Sequence, residues 1–375
     1  MSLPPLPATI RALVSGENST AGVQTLNFAS EEHVRNLDPS GILVKVRAVA
    51  LNPSDWKHNF GEWGLPGNVY GCDAAGDVVR VGSDVQSLQV GDRVGIFNSC
   101  PQPTNGIFAE YAKFDSALAF KLPEGMTYEE GASFPAAHYT AFQALYLRLN
   151  LPFPSSQNPK STPKAQTILI WGASTSVNHH AFQLAHLSGL RVFVVASPDT
   201  HAHLKSLGAD ETFDYKDEDV VRKILEAAGE GGVTLGLDGV VEKGSTEKVI
   251  DCISPRGGKV IPLLPVPDAV TKRREDVDVE FTLVYTVGGH ELTFAKLLHF
   301  DPMPSDRTAL QTYLTTELPA LLEGWEEGKG STRFKTQRLR KITVEGGEWY
   351  EAVLKGLRIL QSGEYGREKL VVTVA

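Results

Sequence analysis

From residue 9 to about 150 the apolar positions come in short runs closed by Gly-Asp turns. ILVKVRAVALN (42–52) alternates and is rich in β-branched residues, and GDVVRVG (76–82) and GDRVGIF (91–97) are bounded runs of the same kind. Short strands at this spacing predict a compact β domain. In TYEEGASFPAAHYTAFQALYLRL (127–149) the apolar positions recur at three and four, which predicts a helical segment.

PFPSSQNPKSTPKA (152–165) has no periodicity and many Pro and Ser residues, the composition of a linker or long surface loop, and it marks a boundary. Beyond it, QTILIWG (166–172) is a short buried strand and VNHHAFQLAHLSG (177–189) an amphipathic helix closed by Gly189. LRVFVVAS and DTHAHLKSLGA repeat that pair. DETFDY is a third edge, DVVRKILEAA a third helix, and VTLGLDGVV and GGKVIPLL supply further strands. Continuous apolar strands alternating with helices of this length predict a doubly wound parallel sheet. After about residue 300 come two helices, TALQTYLTTELPALLEGW and EWYEAVLKGLRILQSG, and a last strand, EKLVVTV. If that strand rejoins the N-terminal β domain, the α/β part is an insertion. The expected fold class is therefore α/β in two domains, 1–165 with 301–375 and 166–300.

Length agrees, since 375 residues exceed one ordinary hydrophobic core. A formal net charge of −9 repels phosphate backbones and argues against nucleic acid as a partner. No run approaches the ~20 apolar residues of a membrane span, and MSLPPLPATI lacks the pattern of a secretory signal, so the expected location is the cytoplasm. Cys72, Cys100 and Cys252 are far apart, with no CxxC pair, which suggests neither a structural zinc nor a disulfide framework.

Candidate chemistry begins at the turn after the first α/β strand, Trp171-Gly172-Ala173-Ser174-Thr175-Ser176-Val177-Asn178. Such a turn gathers backbone N–H groups and a helix N-terminus where a pyrophosphate would sit. Thr175 and Asn178 stand where glycines would recur, so the turn alone does not separate a dinucleotide site from a plain strand–helix connection. The next strand ends in Ser197-Pro198-Asp199-Thr200. An acidic residue at its tip would bond an adenosine ribose and repel a 2′-phosphate. Ser197, with Thr200, His201 and Lys205 nearby, can accept one, which favours NADPH over NADH; Asp199 could point back, and a capped helix start is the other reading.

These residues resemble a known family. Asn52-Pro53-Ser54-Asp55-Trp56-Lys57, Gly71-Cys72-Asp73-Ala74-Ala75-Gly76, Val90-Gly91-Asp92-Arg93-Val94, Gly172–Val177 and Leu204-Lys205-Ser206-Leu207-Gly208-Ala209-Asp210 follow the order and spacing of the medium-chain dehydrogenase/reductases over nearly the whole chain. Within that superfamily the chain looks like the zinc-independent quinone oxidoreductases and enoyl reductases, most of all the trans-acting enoyl reductases of fungal polyketide synthases. The resemblance implies a GroES-like β-barrel catalytic domain, a Rossmann cofactor domain, and NADPH-dependent hydride transfer to the β-carbon of an α,β-unsaturated carbonyl or thioester. The substrate would be a small molecule or an acyl-carrier-bound enoyl chain, with a polyketide synthase as partner. Quinone or general enone reduction, and NADPH binding without turnover, stay open as alternatives.

The resemblance also implies roles. Lys57 lies beside the nicotinamide ribose and the substrate, and Thr140 approaches the nicotinamide; otherwise they are a solvated lysine and a helix-packing hydroxyl. Ser54, Asp55, Ser174, Thr175, Ser176, Val177, Ser197, Pro198, Thr200, Lys205, Tyr215, Pro262 and Leu263 are the further cofactor contacts, and Tyr285 and Thr286 line the substrate side. Zinc alcohol dehydrogenases carry Cys in the loop that reads Asn52–Asp55 here, and His-Glu where Cys72-Asp73 stand. Cys72, Asp73 and His138 are the most that can be assembled toward a zinc, and Asp73 is expected to orient groups beneath the site instead. His179-His180 and His201/His203 are not expected to chelate, since neighbours on a helix point apart. VEFTLV (279–284) is the edge strand by which many superfamily members dimerise; the trans-acting type implies a monomer with this edge altered.

Overall fold

The computed structural model describes residues 5–17, 20–29, 34, 36–60, 63–99, 106–153 and 166–374. Cys100 and residues 154–165 of the expected linker lie outside them. The chain divides into two compact units, Met1–Ala136 with Tyr285–Ala375, and Ala137–Val284.

In the first unit β1 (Thr9–Ser15) and β2 (Ala21–Asn27) form an antiparallel pair. A seven-stranded sheet is built on β3 (Gly41–Ala50), β4 (Asp73–Val81), β5 (Arg93–Phe97), β6 (Tyr111–Asp115) and β7 (Ala119–Lys121). The second unit holds β8 (Thr167–Trp171), β9 (Arg191–Ala196), β10 (Glu211–Asp214), β11 (Leu235–Asp238), β12 (Gly258–Pro262) and β13 (Val277–Val279). The chain then returns to the first unit with β14 (Leu292–Phe294), β15 (Leu298–Phe300), β16 (Leu339–Lys341) and β17 (Lys369–Thr373). The large sheet runs β16-β17-β3-β4-β5-β7, with β6 also on β3.

β3 is the hub of that unit. β4 pairs along Ile42–Ala50, while its other edge is shared by β6 at Gly41–Lys45 and by β17 at Ala48–Ala50. The last strand of the chain thus rejoins the N-terminal β domain. On β3, Lys45 and Arg47 are half-buried while Ile42, Val44, Val46 and Val49 share one core with Leu357, Leu370 and Val372.

In the second unit all six strands are parallel in the order β10-β9-β8-β11-β12-β13. Taking β8 as the first, the order is 3-2-1-4-5-6, that of a doubly wound dinucleotide fold. Helix Val220–Ala228 shows the patterning: Val220, Ile224 and Ala228 are buried at four-residue spacing.

Three expectations need correction. The helical segment 127–149 is broken: one helix covers Tyr128–Ser133, a second starts with Pro135, and a wider π-type turn covers Gln143–Arg148. Proline has no N–H to give and its ring crowds the preceding turn. Pro319 acts likewise, so 308–325 becomes helices Pro304–Thr316 and Leu318–Leu322. The expected edge strand 279–284 ends at Val279. Glu280 and Thr282 still donate backbone bonds toward β12, but the Thr282 hydroxyl is drawn inward to Gln143 Oε1 at 2.6 Å and the chain turns into a 3₁₀ segment at Val284.

Among the described residues no helix is long and apolar enough to cross a membrane. Arg47 is the extra residue of a bulge on β3 facing β4, and opposite it a Cβ on Gly76 would lie 2.1 Å from the Lys45 carbonyl oxygen and 2.8 Å from Val44 Cγ1. Gly76→Ala is expected to cost about 1–3 kcal/mol through overpacking at the hub, read as a lower urea midpoint at unchanged m. An unchanged midpoint would show that the two strands can separate there at no cost.

Candidate active site

Helix Pro53–Asn59 follows β3 closely, and its start is written in the Asn-Pro-Ser-Asp run. Asn52 is the N-cap with extended backbone, and Pro53 occupies the first turn, where a missing N–H costs nothing. Asp55 Oδ2 accepts the Asn52 N–H at 2.7 Å, and the Asp55 carbonyl accepts from Asn59 Nδ2 at 2.8 Å. Asp55 is 1% exposed and its Oδ1 is buried without a hydrogen bond. Burial pushes this carboxyl up to about 7, against the pull of the Asn52 N–H and the Cys72 thiol.

Asp73, the first residue of β4, is fully buried. Its Oδ2 accepts from Asn52 Nδ2 at 2.8 Å and from Lys369 Nζ at 3.2 Å, and its Oδ1 from the backbone N–H of Ala136 at 2.7 Å. Lys369 also donates to Asn52 Oδ1. One carboxylate therefore ties together the cap of the Lys57 helix, the first turn of helix Pro135–Phe142 and the start of β17. Burial raises its pKa, opposed chiefly by Lys369. Lys369 was not anticipated from the sequence; the only sign was a lysine opening an otherwise apolar strand.

Cys72, Tyr285 and Ser54 form a second network. Cys72 Sγ is 2.8 Å from Tyr285 Oη, Tyr285 Oη donates to Ser54 Oγ at 3.1 Å, and Ser54 Oγ is 3.6 Å from Cys72 Sγ. Burial pushes both the Cys72 thiol and the Tyr285 phenol well above their ordinary values, so both carry their protons. The Tyr285 ring packs on Phe97 at 5.6 Å and Phe294 at 5.1 Å. Phe294 meets Trp63 at 5.0 Å, and Lys57 Nζ stands 4.6 Å from the Trp63 ring centre. Consecutive contacts thus bring Ser54, Asp55, Lys57 and Tyr285 into one neighbourhood. Thr286, on the same 3₁₀ turn as Tyr285, is buried.

In the second unit Gly172 turns the chain with φ +84°, and a Cβ there would lie 2.5 Å from Val240 Cγ2. The N–H groups of Gly172 and Ala173 bond to the Val195 carbonyl, and Thr175 caps helix Ser176–Leu187. Asn178 is fully buried; its amide donates to the carbonyls of Trp171 at 2.8 Å and Gly172 at 3.4 Å. The room it needs comes from Gly239, whose Cβ would meet Asn178 Nδ2 at 2.4 Å. The close helix–strand approach that a third glycine normally allows is made here by an asparagine facing a glycine.

Ser174 Oγ reaches Thr200 Oγ1 at 3.4 Å, joining the turn to the end of β9, where Ser197 is half-buried and Pro198 exposed. Ser176 and Val177 form the first turn of the helix. Lys205 lies 3.7 Å from Glu211, and Tyr215 is exposed beside Lys216. Pro262 ends β12, and Leu263 donates its N–H to the Asp238 carbonyl at 3.0 Å. Thr140 is buried on helix Pro135–Phe142. Two positions before it, His138 Nδ1 meets His180 Nδ1 at 3.0 Å, and burial pushes the His138 imidazole down to about 3, so it stays neutral.

Asp238 is another buried carboxylate that the sequence reading passed over. It accepts from Ser245 Oγ at 2.6 Å, Thr246 Oγ1 at 2.7 Å and the N–H groups of Val240 and Val241. That collar holds a loop in which Val241 and Lys243 both have φ +54°, an uncommon conformation for a β-branched residue. Among the described residues no group of three or more His, Cys, Asp or Glu could hold a metal ion.

Two tests follow. Lys369→Met leaves Asp73 a buried charge without its counter-ion and is expected to cost about 3–5 kcal/mol, with Asp73→Asn/Lys369→Met costing less than the sum of the single changes; additive urea-unfolding energies would remove the pair from this account. For Asp55, the folded value of about 7 lies above the ~3.9 of an unfolded chain, so the folded state holds more protons between them. Its contribution is complete below about pH 4 and is lost as the pH rises through about 7. The Tm difference between Asp55→Asn and wild type should therefore shift in favour of the variant across that window, whereas a flat difference would contradict the assignment.

The family description "Alcohol dehydrogenase GroES-like domain" matches residues 38–124, and "Zinc-binding dehydrogenase" matches residues 176–273. The trans-enoyl reductase mpsG of Macrophomina phaseolina (strain MS6) is 34% identical over 98% of this chain and 98% of its own. The trans-enoyl reductase ACTTS2 of Alternaria alternata is 33% identical over 89% and 91%, and the enoyl reductase component lovC of the lovastatin nonaketide synthase of Aspergillus terreus is 32% identical over 93% and 94%. Among solved structures, the CurK enoyl reductase superposes with a TM-score of 0.74 over 98% of this chain and 100% of its own, at 18% identity, a likeness of fold. With a GroES-like unit, a doubly wound unit and end-to-end relatives of one kind, the chain is an oxidoreductase of the medium-chain dehydrogenase/reductase superfamily and belongs to its trans-enoyl reductases.

Proposed function

We propose that this chain reduces the C=C bond of an enoyl thioester with NADPH, without zinc, in the cytoplasm, and that the thioester is carried by a polyketide synthase acting in trans. The observation that carries the reading is Lys57. Its ammonium is held half-buried against Trp63, close to a buried thiol and phenol that keep their protons. A fixed positive charge in such low-dielectric surroundings suits the enolate oxygen that develops during conjugate reduction.

When bound, NADPH supplies the hydride that adds to the β-carbon. The chain's own residues fit that cofactor: the helix start after Gly172, with Ser174, Thr175, Ser176 and Val177, for the pyrophosphate, and Ser197, Pro198, Thr200 and Lys205 for a 2′-phosphate at the end of β9. Tyr215, Pro262, Leu263 and Thr140 complete the proposed contacts, and Ser54, Asp55 and Lys57 those from the first unit. The proposed functional division, 1–165 with 301–375 and 166–300, keeps the whole parallel sheet in the cofactor part.

Zinc fits this donor set poorly. Asp73 already takes bonds from Asn52, Ala136 and Lys369, and the lysine supplies the positive charge a metal would bring. The Cys72 sulfur is engaged by Tyr285 and its proton is held tightly, whereas a metal ligand must be a thiolate.

Titration of nicotinamide fluorescence should show NADPH bound in preference to NADH, and a chelator should leave enoyl-thioester turnover unchanged. Lys57→Ala should lower kcat/KM by about 10²-fold or more. Equal binding of the two nucleotides would remove the 2′-phosphate assignment; turnover of quinones but not of thioesters would make the chain a quinone reductase.

A further inference from the structure

Conjugate reduction consumes a hydride and a proton, and nothing above assigns the acid that delivers the proton to the α-carbon. Lys57 is a poor choice, since a cation that stabilises the enolate oxygen must keep its charge while the oxygen is negative. Resting on the enoyl-reductase reading, the geometry points to Tyr285 as the proton donor, resupplied through Ser54.

Tyr285 Oη sits in a closed triangle with Cys72 Sγ at 2.8 Å and Ser54 Oγ at 3.1 Å, which fixes the phenol hydroxyl in direction as well as place. Its ring is clamped by Phe97 and Phe294, and Phe294 leads through Trp63 to the Lys57 ammonium. Acid and cation therefore belong to one run of packed side chains, with Ser54 and Lys57 three residues apart on the same helix. Cys72 is the other protonated group of the triangle, and the two variants below separate it from Tyr285. Ser54 is half-buried, the most open member of the triangle, and so the outlet toward water.

The step balances. Hydride addition to the β-carbon breaks the C=C π bond and leaves an enolate while the cofactor is oxidised. The α-carbon then forms a C–H bond as the Tyr285 O–H bond breaks. The phenolate takes the Ser54 hydroxyl proton, and Ser54 regains one from water. Transfer from the phenol is downhill even with its acidity weakened by burial, because the α-carbon of a thioester is a far weaker acid than a phenol. The Cys72 thiol, aimed at the phenol oxygen, can hydrogen-bond the transient phenolate.

The test uses a 2-methylbut-2-enoyl thioester, whose reduced α-carbon is a stereocentre. Wild type should give one configuration. Tyr285→Phe, which keeps the ring packing, should bind NADPH as wild type does, turn over about 10²-fold more slowly, and lose α-carbon configuration as water protonates from either face. A configuration retained together with turnover within about twofold of wild type overturns the assignment. Cys72→Ala, which leaves the phenol in place, should keep the configuration even if turnover falls; loss of configuration there with retention in Tyr285→Phe would make the thiol the donor and overturn the proposal. A wild type that does not oxidise NADPH with the thioester would bring down the enoyl-reductase reading itself, an outcome separate from those of the variants.

Discussion

The arrangement of the first unit depends on a carboxylate that water cannot reach. A buried ionised Asp73 is tolerable only if its lone pairs are filled and its charge balanced, because the desolvation penalty is several kcal/mol per ion. The groups that fill them come from three parts of the chain: the side chain of Asn52, the backbone of Ala136 and the ammonium of Lys369. Each of these in turn fixes something else. Asn52 is the cap on which the helix of Ser54, Asp55 and Lys57 begins, and Ala136 lies in the first turn of the helix that carries Thr140. Lys369 begins the strand that closes the long edge of β3. Stability of the sheet and direction of the candidate side chains therefore cannot be tuned separately.

The second unit solves a similar problem with neutral groups. A parallel sheet leaves carbonyls at its carboxyl end, and the helix after β8 must come close to them. Asn178 turns that proximity into hydrogen bonds to Trp171 and Gly172, and Gly239 on the next crossover gives it space. The same crossover is anchored by Asp238, whose collar of hydroxyls and N–H groups offsets the unfavourable backbone of Val241 and Lys243. The departure from the glycine pattern is thus compensated within the fold, and the turn keeps its close backbone path.

Much of the fold was legible because periodicity reports burial directly. Strands covered on both faces are continuous apolar runs and helices alternate with them, and EKLVVTV was legible as a strand, though its place beside β3 was only one option the sequence left open. What misled was punctuation inside long patterns: Pro135 and Pro319 sit where the apolar spacing continues unbroken, so the pattern hides the break. At the candidate site, the positions on helix Pro53–Asn59 and on the turn after β8 could be named from motifs, but their partners could not. Lys369 lies 317 residues from Asn52 and Tyr285 lies 213 from Cys72, and no local spacing encodes contacts at that range. The segment after β13 has a strand-like composition, yet it leaves the sheet after Val279, and its Thr282 hydroxyl is bonded to the buried Gln143.

The charge distribution around β3 and β4 supports the proposal that the site works without a metal. Its buried acids are treated in opposite ways. Asp73 is matched by a cation and several donors, so it serves as a structural anion. Asp55 is buried, and the Asn52 N–H and the Cys72 thiol do not offset that burial, so its proton is held up to about 7. With Cys72 and Tyr285 protonated, the network beside Lys57 offers S–H and O–H donors. A metal would need those protons removed, whereas an enolate needs them present. The environment that disfavours a metal thus favours protonation chemistry, and Lys369, by neutralising Asp73, keeps the neighbourhood from accumulating the negative charge that would oppose an enolate.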